Sequence, residues 1–209
     1  MRIQHKAILL ILLILIADQV IKFIVKTNMY LGESIPVFGD WFQIYFIENN
    51  GMAFGYEFGG KLGKVLLTSF RIVAVTGLLF FIRAMIKKGA PTGFILALAM
   101  ITAGAAGNIF DSMFYGMIFS ESSYGNPLVD GSGIATLFPE GGGYGTFMHG
   151  KVVDWTYFPI IKGHWPEWFP WKGGQQFLFF RPIFNLADSC ITVGVGWVLL
   201  FQRKFLRTV

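Results

Sequence analysis

Pro182-Ile183-Phe184-Asn185-Leu186-Ala187-Asp188-Ser189 sets an amide and a carboxylate three residues apart, at the mouth of an apolar run that continues to Phe201. At i, i+3 spacing Asn185 and Asp188 share one helix face. One reading is a helix start, with Asn185 as N-cap, Asp188 as a first-turn acid favoured by the helix dipole, and Pro182 just upstream. A second acid argues for more. Gly150-Lys151-Val152-Val153-Asp154-Trp155 places another carboxylate among apolar residues, and two carboxylates brought together near a membrane surface supply the acid and base that hydrolysis needs.

The apolar run is one of several. The chain of 209 residues is 54% hydrophobic with a mean hydropathy of +0.58, a composition that excludes an ordinary soluble domain. It defines a small all-α integral membrane protein, a single membrane-embedded unit over residues 1–209. Seventeen basic against 12 acidic residues give a net charge of +5. The cytoplasmic flanks of a helical membrane protein account for such an excess, so no nucleic-acid partner is expected. The single cysteine, Cys190, precludes an internal disulfide and reads as a small buried side chain. His5, His149 and His164 have no metal-ligand spacing with one another or with Cys190. Neither a metal nor a cofactor is expected.

Met1 to Lys6 followed by Ala7 to Ala17 imitates a signal peptide, yet no small-x-small cleavage site follows and apolarity resumes after Asp18. The segment from about Ala7 to Val25 is therefore expected to be the first transmembrane helix. Within it, Asp18 and Lys22 stand i, i+4 with the acid first, the favourable order for an ion pair. Such an intramembrane acid marks a candidate functional site or anchors the helix at its outer interface. Thr27 to Lys64 is an outer segment whose Ser34 to Phe46 stretch, with Phe42, Ile44 and Phe46 alternating, predicts a small sheet on the membrane surface. It ends in Glu48-Asn49-Asn50-Gly51-Met52-Ala53-Phe54, where Asn-Gly signals a turn.

Val65 to Ile86 is expected as the second helix and Thr92 to about Phe114 as the third. The third contains Ala103-Gly104-Ala105-Ala106-Gly107-Asn108-Ile109-Phe110-Asp111-Ser112, whose small residues permit close helix packing. Asn108 and Asp111 repeat the amide-acid spacing of Asn185 and Asp188. An acid near a helix C-terminus opposes the dipole, so Asp111 requires a compensating partner. Gly116 to Arg181 is too polar to span and reads as a long outer loop, with Trp165, Trp168 and Trp171 of interfacial character. About Phe184 to Gln202 forms a fourth helix. Arg2, Lys6, Arg83, Lys87, Lys88, Arg203, Lys204 and Arg207 carry the charge of the two termini and the second inter-helix loop, so both termini are expected in the cytoplasm. Asn49, Asn108, Asp111, Asp154, Asn185 and Asp188 then converge at the outer membrane face.

Five motifs in this order, Asp18-Gln19-x-x-Lys22, Asn49-x-Gly51-x-Ala53-Phe54, Gly107-Asn108-x-x-Asp111, Gly150-x-Val152-Val153-Asp154-Trp155 and Phe184-Asn185-x-Ala187-Asp188-Ser189, resemble the bacterial lipoprotein signal peptidases. The resemblance implies an aspartyl protease of the cytoplasmic membrane, surrounded by lipid and acting as a monomer. It would cleave diacylated prolipoproteins immediately before the lipid-modified cysteine. Asp154 and Asp188 match the catalytic pair, supported by Asn49, Gly51, Asn108, Asp111, Asn185 and Ala187, with Asp18 at the remaining polar position of the first helix. The acid and base roles within the pair stay open.

Two departures from the family pattern stand out. Ser112 follows Asp111 where the family carries arginine, so the compensating cation must come from elsewhere, with Arg181 and Arg71 as candidates. Met117 to His149 is an insertion whose Gly-rich composition suggests a loop that modulates substrate entry. Two other classes of function compete. A proton-relaying transporter could use Asp18 and Asp111, but the polar residues gather at one face and no internal repeat is visible. A structural or assembly protein would bury four polar side chains to no purpose.

Overall fold

The computed structural model describes residues 1–50, 60–125, 131–179 and 182–201. Gly51, Arg181 and the basic residues after Phe201 lie outside them. Four helices form a bundle: α1 (Ile3–Asn28), α2 (Gly60–Lys87), α3 (Thr92–Phe110) and α5 (Leu186–Phe201), with a short α4 (Gly116–Ile118) after α3. Three helical stretches, Ile3–Asn28, Leu62–Lys87 and Thr92–Ile118, are long and apolar enough to cross a membrane, whereas α5 is a shorter apolar helix. The molecule is an integral membrane protein by this measure.

The bundle has an apolar core of Ala7, Ile82, Met85, Phe94, Ile95, Leu98 and Ala99, an apolar rim, and buried charges on α1. On α1 the buried stripe is Ala7, Asp18, Lys22, Val25 and Lys26, while Leu9, Leu12, Leu13, Ile16, Val20 and Ile24 face outward. Apolar side chains on the rim and charged ones inside are what a hydrocarbon surrounding selects. α3 runs through the middle and touches α1, α2 and α5. Its crossing with α5 is close because of glycine: a Cβ on Gly104 would sit 2.2 Å from the carbonyl oxygen of Ala187, and one on Gly194 2.8 Å from that of Ala97. Cys190 is buried on α5.

Beyond the bundle lies more sheet than the sequence suggested. β1 (Ser34–Phe38), β2 (Phe42–Asn49), β3 (Val152–Tyr157) and β6 (Ile183–Phe184) form an antiparallel sheet in the order β1-β2-β3-β6. β4 (Ile161–His164) and β5 (Gln176–Phe179) form a separate hairpin. The stretch expected as one long loop, Gly116 to Arg181, thus supplies three strands, β3, β4 and β5, and β6 follows just after it. β3 escaped notice because Val152, Val153 and Asp154 are all buried, so the strand shows no inside-outside alternation.

The insertion after Met117 is also less loop-like than its glycines suggest. Phe119 is fully buried and packs with Val25, Met29, Phe46, Tyr115 and Val153 in one cluster. Bridges Leu31↔Tyr124 and Tyr30↔Ile134 tie the insertion to the chain after α1.

Candidate active site

The site is built around one buried ammonium. Lys22 Nζ lies 2.8 Å from Asp18 Oδ2 and 2.8 Å from Asp111 Oδ2, and it donates to Asn108 Oδ1 at 2.9 Å. Three acceptors use its three protons. Lys22 is therefore a cation that compensates Asp111; of the two candidates named from sequence, Arg181 lies outside the described residues and Arg71, on α2, is within electrostatic reach of Asp188. The dipole objection to Asp111 also dissolves, because the chain continues helically past it through a π-helical turn, Asp111–Tyr115, into α4. Such a one-turn widening is frequent at functional sites. Gln19 completes the group, donating to Asp111 Oδ1 at 2.9 Å while accepting from the Tyr115 hydroxyl at 3.1 Å.

Each acid of this group also grips a backbone amide elsewhere. Asp18 Oδ1 accepts from the Ala187 N–H at 3.0 Å, and Asp111 Oδ2 accepts from the Val153 N–H at 3.4 Å. Ala187 immediately precedes Asp188, and Val153 immediately precedes Asp154. Small residues make room: a Cβ on Gly107 would lie 2.7 Å from Asp18 Oδ2 and 3.5 Å from the Ala187 Cβ.

Asn185 joins the remaining two carboxylates. Its side-chain Nδ2 donates to Asp154 Oδ1 at 2.7 Å, while its backbone N–H donates to Asp188 Oδ2 at 3.3 Å. Its Oδ1 in turn accepts from the Asp188 N–H at 2.9 Å. This reciprocal pair has the form of a capping box at the helix start for which Asn185 was read as N-cap, but the cap is also a bridge between acids. The amide of Asn108 donates to Asp188 Oδ1 at 2.8 Å, and that of Asn49 to Asp154 Oδ2 at 2.6 Å.

Asp154 and Asp188 differ in surroundings. Asp154 is 1% exposed, whereas Asp188 is half-buried. Burial, reinforced by the nearby Asp188 charge, pushes the Asp154 carboxyl up to about 7 in spite of its two amide donors. An acid so tuned exchanges its proton near neutral pH. Among the described residues no group of three His, Cys, Asp or Glu side chains is arranged to hold a metal ion.

Of the residues singled out from sequence, Asp18, Asn49, Asn108, Asp111, Asp154, Asn185, Ala187 and Asp188 all meet here, from α1, β2, α3, β3 and α5. Gly51 lies outside the described residues. Lys22 was noticed only as a partner of Asp18, and its bond to Asn108 could not have been foreseen because it joins residues far apart in the chain. Gln19 entered only as part of the Asp18-Gln19-x-x-Lys22 motif, without a role, and Tyr115 carried no signal.

A buried cluster of acids and amides at one end of an apolar-rimmed bundle is the kind of site a membrane enzyme carries. The family model for signal peptidase II (Peptidase_A8) matches residues 10–204. The chain belongs to that family of proteases. It is 51% identical over 192 residues to a lipoprotein signal peptidase of Porphyromonas gingivalis (strain ATCC 33277), covering 91% of this chain and 80% of that protein. A lipoprotein signal peptidase of Amoebophilus asiaticus (strain 5a2) is 35% identical over 199 residues, covering 94% and 77%. A bacterial membrane enzyme solved by the in meso method at 2.3 Å resolution superposes with a TM-score of 0.60 at 25% identity, over 96% of this chain and 88% of that one.

Proposed function

We propose that the chain is an aspartyl endopeptidase that removes the signal peptide from prolipoproteins, cutting immediately before a diacylglyceryl-modified cysteine. The carrying observation is that Asn185 bonds Asp154 through its side chain and Asp188 through its backbone. Two carboxylates held by one residue share a proton, so one serves as base and the other as acid. The ionised carboxylate takes a proton from water as its oxygen attacks the scissile carbonyl carbon. The protonated one then delivers its proton to the departing nitrogen as the C–N bond breaks. Asn49 and Asn108 hold the two carboxylates in place.

Lys22, Asp18 and Asp111 form the frame beneath. The family membership and the apolar rim of the bundle support a site at the outer face of a bacterial cytoplasmic membrane. In this reading α5 is the fourth span and both termini face the cytoplasm. The enzyme works as a monomer, surrounded by lipid and without a cofactor.

The test is direct. Purified protein in detergent, incubated with a diacylated prolipoprotein, should yield the shorter product, and Asp188→Asn should yield none. A product whose new N-terminus is not the lipidated cysteine would refute the assigned cleavage position.

A further inference from the structure

A second buried charge cluster lies on the other side of the strands that carry the site. Lys26, fully buried, pairs with Glu48 and donates to Ser122 Oγ at 2.8 Å. Ser122 Oγ in turn donates to Glu48 Oε1 at 3.0 Å. Lys151 Nζ approaches Glu48 Oε2 at 3.4 Å. Tyr144 closes the cluster: its ring lies 5.1 Å from Lys26 Nζ and 5.3 Å from Lys151 Nζ, and its hydroxyl accepts from the Lys151 N–H at 2.6 Å. Ser122 and Tyr144 belong to the insertion, so a segment without a place in the proposed chemistry provides two walls of this cluster.

Strand geometry connects the cluster to the acids. Glu48 pairs with Val153, Asn49 with Val152 and Ile47 with Asp154. Successive side chains on a strand point to opposite faces. Glu48 and Val153 therefore face Lys26 and the insertion, while Asn49 and Asp154 face the site. A displacement of Glu48 is carried through one residue of β2 to the Asn49 amide, whose 2.6 Å bond holds Asp154. An irregular register between Ile44 and Ile47 leaves this end of β2 to be set by what grips it locally.

We infer that the Lys26–Glu48–Ser122 cluster, walled by Tyr144, is a positioning device through which the insertion sets the Asn49–Asp154 geometry. Rate, not substrate admission, is then what the insertion controls. This rests on the protease reading above for its kinetic arm but not for its structural one. Ser122 and Glu48 are positioning residues; neither touches the reacting atoms.

Two measurements on the full chain test it. Ser122→Ala removes the bridging hydroxyl without removing a charge, and Tyr144→Phe removes the acceptor of the Lys151 amide. Amide hydrogen exchange of the substrate-free protein should quicken by about tenfold or more at Asn49 and Asp154, while amides of α2 and α3 keep their rates. In the cleavage assay kcat should fall by about tenfold with KM unchanged, the pattern of lost alignment. Thr136→Ala, at an exposed insertion residue whose hydrogen bonds among the described residues all go to Ser120, should alter neither.

Unchanged exchange at β2 and β3 in folded Ser122→Ala and Tyr144→Phe proteins overturns the inference, as does a rise in KM with kcat preserved. If the variants prove unstable, the double replacement Lys26→Met with Glu48→Leu, an uncharged core of similar volume, takes their place with the same expectations. If the wild-type chain cleaves no prolipoprotein while the exchange effect appears, the protease reading falls and the coupling stands.

Discussion

Asp18 and Asp111 share one ammonium, with Lys22 2.8 Å from each, although β1, β2, α2 and α3 lie between them in the chain. All three side chains are buried to 1% exposure or less. A triad of two carboxylates and one cation leaves a net negative charge, and the Ala187, Val153 and Gln19 donors absorb it. The frame is thus electrostatically complete only with every member present.

Lys22→Met should therefore be among the most damaging single changes outside the two acids. Removing one partner of a buried ion pair costs about 3–5 kcal/mol, because the other is left uncompensated. Here two carboxylates are left, and Asn108 Oδ1 loses one of the two donors that orient its amide toward Asp188, keeping only Asn185 Nδ2. Thermal unfolding in detergent should show a large drop, and cleavage should be lost even below the melting point. A protein of wild-type stability and activity would show that the triad is dispensable.

Asp154→Asn and Asp188→Asn should each abolish turnover in a folded protein that still binds substrate. Each removes a proton-transferring group while keeping its size. Because the two act together, the double variant should be hardly slower than either single one. Asp111→Asn, which touches Lys22 and Gln19 but not the substrate in this reading, should retain more turnover. Single-turnover cleavage separates these outcomes, and near-normal rates for either of the first two would end the aspartyl assignment.

The pH dependence follows from Asp154. Its carboxyl titrates at about 7 when folded and near about 4 when unfolded. Between those values the folded chain binds the additional proton, so raising the pH through that window weakens the fold. The neutral Asp154→Asn protein lacks this dependence and above pH 7 should exceed wild type in unfolding free energy by on the order of a few kcal/mol. Turnover of the wild-type enzyme should decline on the alkaline side of about 7, where the pair no longer holds a proton to donate. Flat stability across pH 4 to 7 with a rate still rising at pH 8 would contradict both statements.

Orientation is open to labelling. With both termini in the cytoplasm, a membrane-impermeant thiol reagent applied to intact cells should modify Glu140→Cys, at an exposed insertion position, but not Lys88→Cys, exposed at the opposite end of the bundle. Cys190→Ser removes the native thiol from the background. The reverse pattern would place the site on the cytoplasmic side.

How much of this could be read from sequence depended on whether the decisive contact was local. The Asp18–Lys22 pair and the Asn185–Asp188 cap follow helical spacing and were visible at once. Lys22 reaching Asn108, and Asn49 reaching Asp154, join distant elements and left no periodic trace. β3 was hidden for a related reason: a strand covered on both faces has no polar face to betray its period. The insertion misled through composition, because its glycines suggest a solvated loop while Phe119 and Ser122 lie in the core.

The way α5 enters the structure has a bearing on biogenesis. A nascent chain that has reached only as far as β3 owns Asp154 and Asn49 but neither Asn185 nor Asp188. The Asp18 carboxylate then has no Ala187 amide to hold. In the proposed mechanism the second acid of the pair thus arrives only with α5, the last described helix. An incomplete translation product left in the membrane would be inert rather than a stray protease.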